Sequence, residues 1–238
     1  MSALRGLRSS ARLELRLQKR YGFGYAALFS AVLWLAILLP IPADYRDVAA
    51  PLVLFGDLIV VAFFFIAGSV FFEKGERTLF ALVVTPLRFR DYLLAKLLSL
   101  TLLSVVLSLI IIVGAHGLDF AAVPMLTGVV VTTVLMLLVS FVTAVPYPSI
   151  TDWILPVSFL LAVLSLPLLH YSGLWQHWLL YLIPTQGALI LFGAAFDQLT
   201  PTAWEVGYAV GYQLLWIAAL ALLAKRAFDR YIVAGEGQ

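Results

Sequence analysis

The sequence predicts an all-α membrane protein: six transmembrane helices, an N-terminal amphipathic interfacial helix, and an outer re-entrant helical hairpin between the fifth and sixth spans. Three observations carry that prediction. Hydrophobic residues make up 63% of the 238 residues, against about 45–50% in a soluble domain. Charged residues reach only 12%, against about 25%, too few to cover the surface of a soluble globule of this size. Mean hydropathy is +1.04, so most of the chain has hydrocarbon as its solvent. Together these exclude a soluble enzyme, a nucleic-acid binder and a disordered regulator. The absence of cysteine excludes a disulfide framework, a thiolate metal site and a cysteine nucleophile.

A span needs about 20 mostly apolar residues to cross about 30 Å of hydrocarbon. Six segments qualify: Gly22–Leu39, Leu52–Phe72, Tyr92–Ala115, Val123–Val145, Ile154–Leu169 and Ala203–Leu223. A backbone in lipid must satisfy its own hydrogen bonds, so these are helices. The first follows a basic stretch, as the core of a signal peptide does, but it is of spanning length and reads as a retained span. Pro40 and Pro42 follow the first helix, Pro51 opens the second, and Pro146 and Pro148 follow the fourth. Pro156 and Pro167 lie inside the fifth, which is expected to be kinked or broken.

Residues 171–201 hold two shorter apolar pieces, Leu174–Ile183 and Ala188–Phe196, on either side of Pro184-Thr185-Gln186-Gly187. Pieces of that length suit re-entrant or interfacial segments rather than full spans, and the Pro–Gly stretch reads as a turn. The expectation is a helical hairpin that enters the membrane and returns to the same side. Two additional true spans are the alternative.

Of the 15 lysines and arginines, six precede the first span (Arg5, Arg8, Arg12, Arg16, Lys19, Arg20). Five lie in or beside the loop between the second and third (Lys74, Arg77, Arg88, Arg90, Lys96), and three follow the last (Lys225, Arg226, Arg230). Only Arg46 falls on the other side. The positive-inside rule places both termini and the 73–91 loop in the cytoplasm, and the 171–201 hairpin outside. Trp175, Trp178, Tyr181 and Trp204 then form an outer aromatic belt. Within residues 1–20, Arg5, Arg8, Arg12, Arg16 and Lys19 share one helical face, with Leu4, Leu7, Ala11 and Leu15 tracing a second. A basic amphipathic helix beside a span is expected to lie at the membrane surface, drawn by anionic lipid. No aromatic residues interleave the arginines, which speaks against nucleic acid.

The cytoplasmic loop opens with Glu73-Lys74-Gly75-Glu76-Arg77-Thr78-Leu79, continues through a short apolar piece, and reaches Thr85-Pro86-Leu87-Arg88. A Thr hydroxyl can cap free N–H groups and Pro is tolerated at a first helical position, so Thr85-Pro86 reads as a helix start. A short helix held between two spans and flanked by charge is built either to dock on a soluble partner or to serve as a plain interfacial connector.

This stretch resembles the loop after the second span in type-2 ABC transporter permeases, in Glu73-Lys74, Glu76, Thr78-Leu79 and Thr85-Pro86-Leu87. The Gly-Thr pair of that pattern is absent, since Arg77 precedes Thr78. The wider plan of amphipathic helix, six spans and outer hairpin is similar over nearly the whole chain. Further strings resemble the actinobacterial fluoroquinolone-export permease subgroup: His116-Gly117-Leu118-Asp119, His170-Tyr171-Ser172-Gly173-Leu174-Trp175, Tyr181 through Gly187, and Gly193 through Gln198.

The resemblance implies the permease subunit of an ATP-driven exporter of hydrophobic or amphiphilic drugs such as fluoroquinolones, working by alternating access. The chain has no GxxxxGK[ST] phosphate loop. ATP and Mg would therefore be held by a separate ABC ATPase subunit, with no cofactor on this chain, and a second permease chain, identical or a sister, would complete the pathway. By the resemblance, Glu73, Lys74, Glu76, Arg77, Thr78, Thr85, Pro86 and Leu87 form the ATPase-coupling element, and no residue is catalytic. Asp57 inside the second span is costly unless paired, hydrated or protonated; with Phe64 and Ser69 it is the candidate substrate pathway. No His or carboxylate spacing suggests a metal site. Other readings stay open: the same architecture carrying a lipid, haem-like or glycan cargo, an intramembrane enzyme, or a non-transporting assembly protein.

Overall fold

The computed structural model describes residues 3–81 and 88–233, and the described residues contain helices and no strand. The elements are α1 (Ala3–Arg20), α2 (Phe23–Leu38), α3 (Ala43–Gly75), α4 (Thr78–Ala81), α5 (Phe89–His116), α6 (Ala122–Ala144), α7 (Ile150–Tyr171), α8 (Gln186–Ala195) and α9 (Ala203–Val233). Helices α3, α5, α6, α7 and α9 are long and apolar enough to cross a membrane. Helix α2 has 16 residues and meets α1 at a 65° bend. The bend turns on Gly22, whose φ of 75° is a conformation that a side chain would resist.

Helix α3 corrects the expected boundary. It starts at Ala43 rather than at Pro51 and runs for 33 residues, about 50 Å at 1.5 Å per residue. Pro51 is therefore internal. The residues expected as a loop are held by Arg46, which donates to the carbonyls of Ile41 (2.8 Å), Ala115 (3.1 Å) and Leu39 (2.8 Å). One guanidinium thus satisfies carbonyls at the ends of both α2 and α5. Midway, residues Ile59–Phe63 form a π turn. Ser140 of α6 donates to the Phe63 carbonyl at 2.5 Å, supplying a partner from outside the helix.

Helix α6 is central, with 67% of its apolar stretch buried, against 22% in α7 and 17% in α9. The apolar faces of α7 and α9 are accordingly left for lipid or a partner. Trp153 of α7 is fully buried and stacks on Phe63 at 5.7 Å, with Phe64 edge-on at 6.0 Å. Helix α7 is interrupted at Leu166, where Pro167 begins a fresh turn, as the prolines predict.

The 171–201 segment departs from the expected pair of helices. Its first arm is extended at His177 and then makes a single 3₁₀ turn, Trp178–Leu182. The reason lies in α9: the hydroxyls of Tyr208 and Tyr212 donate to the Tyr181 and Leu182 carbonyls, supplying bonds that a helix would otherwise make internally. Only the second arm is α-helical, and Gln186 and Gly187 belong to α8 rather than to the turn. Gly187 is required there, because a Cβ would sit 2.5 Å from the Ala209 carbonyl oxygen. Next to it, Thr132 of α6 donates to Gln213 of α9 at 3.0 Å, and the Gln213 amide donates to Ala209.

Candidate functional site: a buried ion cluster at the charged end

The basic residues gather at the end of the bundle where α3 finishes and α5 begins. There, Lys96 is fully buried one turn beyond Tyr92 in α5. Its ammonium group lies 2.6 Å from Glu73 Oε1 and 3.0 Å from Glu14 Oε1, and it donates to Ser69 Oγ. Tyr92 donates to Glu73 Oε2 at 2.6 Å, and Ser69 donates to Oε1 at 3.1 Å. Four residues from three elements thus converge on one lysine. The fixed charges do not cancel, since two carboxylates face one ammonium. Burial raises the Glu14 carboxyl above its usual range even though Lys96 opposes the shift.

Helix α1 is positioned by this cluster. Ser10, Glu14 and Gln18 recur every four residues and form its buried face, and Gln18 donates to Ser99 of α5 at 2.7 Å. Arg12, Arg16 and Lys19 point outward as the helical pattern predicts, while the side chains of Arg5 and Arg8 lie outside the described residues. The correction concerns what the helix rests on: its inner face is a polar stripe docked on α5, and Leu15, expected on the apolar face, is 55% exposed. The far end of α1 is tied in too. Arg20 pairs with Glu76 at 2.9 Å, and Tyr21 donates to the same carboxylate at 3.1 Å. Burial and Glu76 push the Tyr21 phenol up to about 12, so it remains a donor at neutral pH.

The loop residues divide by direction. Glu73 turns inward to Lys96. Lys74 donates to the carbonyls of Ala144 (3.2 Å), Val145 (2.6 Å) and Tyr147 (2.6 Å), capping the end of α6. Thr78 donates back to the Glu73 carbonyl at 3.2 Å, and Arg77 adopts a φ of 58° to make the turn into α4. Glu76, Arg77 and Thr78 are the surface members. Thr85, Pro86 and Leu87 lie outside the described residues. Against Lys74 and the end of α6, a groove of about 740 Å³ opens between Phe71, Lys74, Pro146 and Tyr231.

The residues expected along a substrate pathway are not brought together. Asp57 is fully buried and accepts from Ser30 at 2.9 Å. Phe64 packs on Trp153, and Ser69 belongs to the Lys96 cluster. Sequence reasoning missed Glu14 and treated Lys96 as a loop charge. Two signals were available: Glu14 is the sole acid among the basic residues of α1, and Lys96 stands inside a continuous apolar run. Among the described residues no group of His, Asp and Glu side chains is arranged to hold a metal.

The comparisons agree with this architecture. Residues 5–236 match the family model described as the fluoroquinolones export permease protein family. Two relatives, both named fluoroquinolones export permease proteins, come from two strains of Mycobacterium tuberculosis. Each is 50% identical over 227 residues, covering 95% of this chain and 96% of the relative. No solved structure matches. A multi-pass helical chain matched along almost its whole length by this family's model and by its curated members belongs to the fluoroquinolones export permease protein family.

Proposed function

We propose that this chain is the membrane-spanning subunit of an ATP-driven exporter of fluoroquinolones and related amphiphilic drugs, working by alternating access with a separate ABC ATPase. The observation that carries the coupling is the cluster on Lys96. It ties α1 to the end of α3 and the start of α5, so a push on the surface of α1 or α4 reaches two long helices through buried ionic contacts rather than through a slack loop. Glu76, Arg77 and Thr78, with the groove beside Lys74, form the face offered to the ATPase. Thr85, Pro86 and Leu87 belong to the same loop. Both termini and this face are cytoplasmic, following the distribution of lysine and arginine. The 171–201 segment is a re-entrant element on the outer side, and the sparsely buried α7 and α9 leave apolar surface for lipid or a second permease chain.

The test is reconstitution of the full chain in inside-out vesicles with and without a candidate ABC ATPase subunit. ATP-dependent fluoroquinolone accumulation is expected, and Glu76→Lys is expected to reduce it while leaving the protein inserted and folded. Accumulation that is independent of ATP and of the ATPase would overturn the reading.

A further inference from the structure

Helix α1 is fastened to the bundle by charges that do not balance. Glu14 reaches in from α1, Glu73 from α3 and Lys96 from α5, and none of the three is more than 4% exposed. Lys96 stands 3.0 Å from Glu14 and 2.6 Å from Glu73, so two carboxylates share one ammonium. Around Glu14 the described residues supply no other charge. Tyr92 of α5 and Ser69 of α3 give their hydroxyls to Glu73. Helix α2 also packs on α1 and carries no charged residue, and its Tyr25 is exposed.

An unmatched buried charge is costly, and one proton on a carboxylate removes it. That proton belongs on Glu14, because Glu73 already accepts from three donors, Lys96, Ser69 and Tyr92, and Glu14 only from Lys96 and Gln18. A cavity of about 50 Å³ opens between Glu14, Leu17, Glu73, Thr78 and Tyr92. It is large enough to admit water and so gives solvent protons a route to Glu14. The geometry of α1 supplies a pivot as well. Gly22, with its φ of 75°, separates α1 from α2 at the 65° bend. Beside it, Arg20 and Tyr21 hold Glu76, which anchors that end of α1 while the Ser10–Glu14 end is left to move.

We propose that α1 is a proton-gated strap: it lies docked on α5 while the Glu14–Glu73–Lys96 cluster holds one proton, and it swings out on Gly22 when that proton leaves. Lifted into water, Glu14 returns to the ordinary carboxylate range, whereas burial holds it above that range when docked. The docked form therefore binds the proton more tightly. Docking is strongest in acid and weakens as pH rises through the value that Glu14 holds when docked. The switch goes beyond the export reading, because the cluster alone defines it and it operates without ATPase or drug.

The test exploits the absence of cysteine, which makes an introduced thiol unique. Ser10→Cys places one on the buried face of α1 and Leu13→Cys places one on its exposed face. Each full chain, in lipid nanodiscs, is labelled with a maleimide from about pH 5 to about pH 9. The ratio of the two rates removes the pH dependence of the thiol itself. The ratio should rise with pH, by up to about tenfold per unit, the limit for a single proton. Added to both, Glu14→Gln keeps an acceptor for Lys96 but cannot ionise, and the ratio should stay low and flat. Arg16→Gln removes an outward charge of α1 and should leave the rise intact. A flat ratio without Glu14→Gln, or a rise that persists with it, would overturn the proposal. If Glu14→Gln fails to fold, Arg16→Gln still decides: a rise that it abolishes would assign the titration to the helix surface and overturn the role of the cluster.

Discussion

Lys96 and Glu73 meet at 2.6 Å, and neither side chain is more than 3% exposed. A buried pair of this kind is weak evidence for net stability, because desolvation offsets much of the attraction. Breaking it is another matter. Lys96→Met would leave Glu14 and Glu73 buried without their shared cation, at a cost of about 3–5 kcal/mol. Adding Glu14→Gln and Glu73→Gln to Lys96→Met should recover most of that loss. Thermal melting of the purified single and triple variants checks the prediction; a triple variant no more stable than the single would mean that the cluster stabilises through packing alone.

The direction of the loop side chains changes which substitution tests coupling. Glu73→Lys would set two lysines against each other in a buried site, so it reports on folding. Glu76 is the informative position. Its pair with Arg20 is largely exposed, the two side chains being 66% and 30% accessible, so Glu76→Lys should cost at most about 1 kcal/mol. If Glu76 transmits contact from the proposed ATPase subunit, Glu76→Lys lowers drug-stimulated ATP turnover, and the exchange Arg20→Glu with Glu76→Lys restores part of it. Unaltered turnover in the single variant would remove Glu76 from the coupling face.

How far the fold was legible follows from what sets each feature. Span positions were readable because lipid demands long apolar runs, and five of the six expected spans reappear as helices of spanning length. The start of α3 was not, because Arg46 satisfies distant carbonyls that no local pattern reveals. The first arm of the 171–201 segment was misread for the same reason, its carbonyls being served by tyrosines about thirty residues along the chain. Glu14 was hidden by its own helix: the pattern gave two faces, arginine and leucine, and the buried stripe proved to be a third.

Close approach of α8 to α9 gives a prediction that needs no assumption about function. Gly187→Ala would place a methyl group 2.5 Å from the Ala209 carbonyl oxygen and 2.8 Å from its Cα, both backbone atoms that cannot rotate away. Overpacking of that kind costs about 1–3 kcal/mol. Gly207→Ala, on the same helix pair but with nothing within 4 Å of the new atom, should be neutral or slightly stabilising, since alanine is the better helix former. A melting temperature that falls for the first variant and holds for the second confirms the packing; equal values would mean that α8 sits further from α9.

Asp57 invites the simplest substitution and the sharpest comparison. Ser30 donates to Oδ1 at 2.9 Å, and that oxygen survives in Asp57→Asn. The fold should therefore change by no more than about 1 kcal/mol, whereas Asp57→Leu would strand the buried Ser30 hydroxyl and cost more. For cargo, the relevant observation is that Asp57 is fully buried and does not line the groove beside Lys74. A carboxylate closed off in this way has no contact through which to select by ligand charge. Asp57→Asn is thus expected to affect export of cationic and of neutral substrates to the same extent, measured side by side in one vesicle preparation. Selective loss of cation export would mean that the transport cycle uncovers Asp57 and places it on the substrate pathway with Phe64.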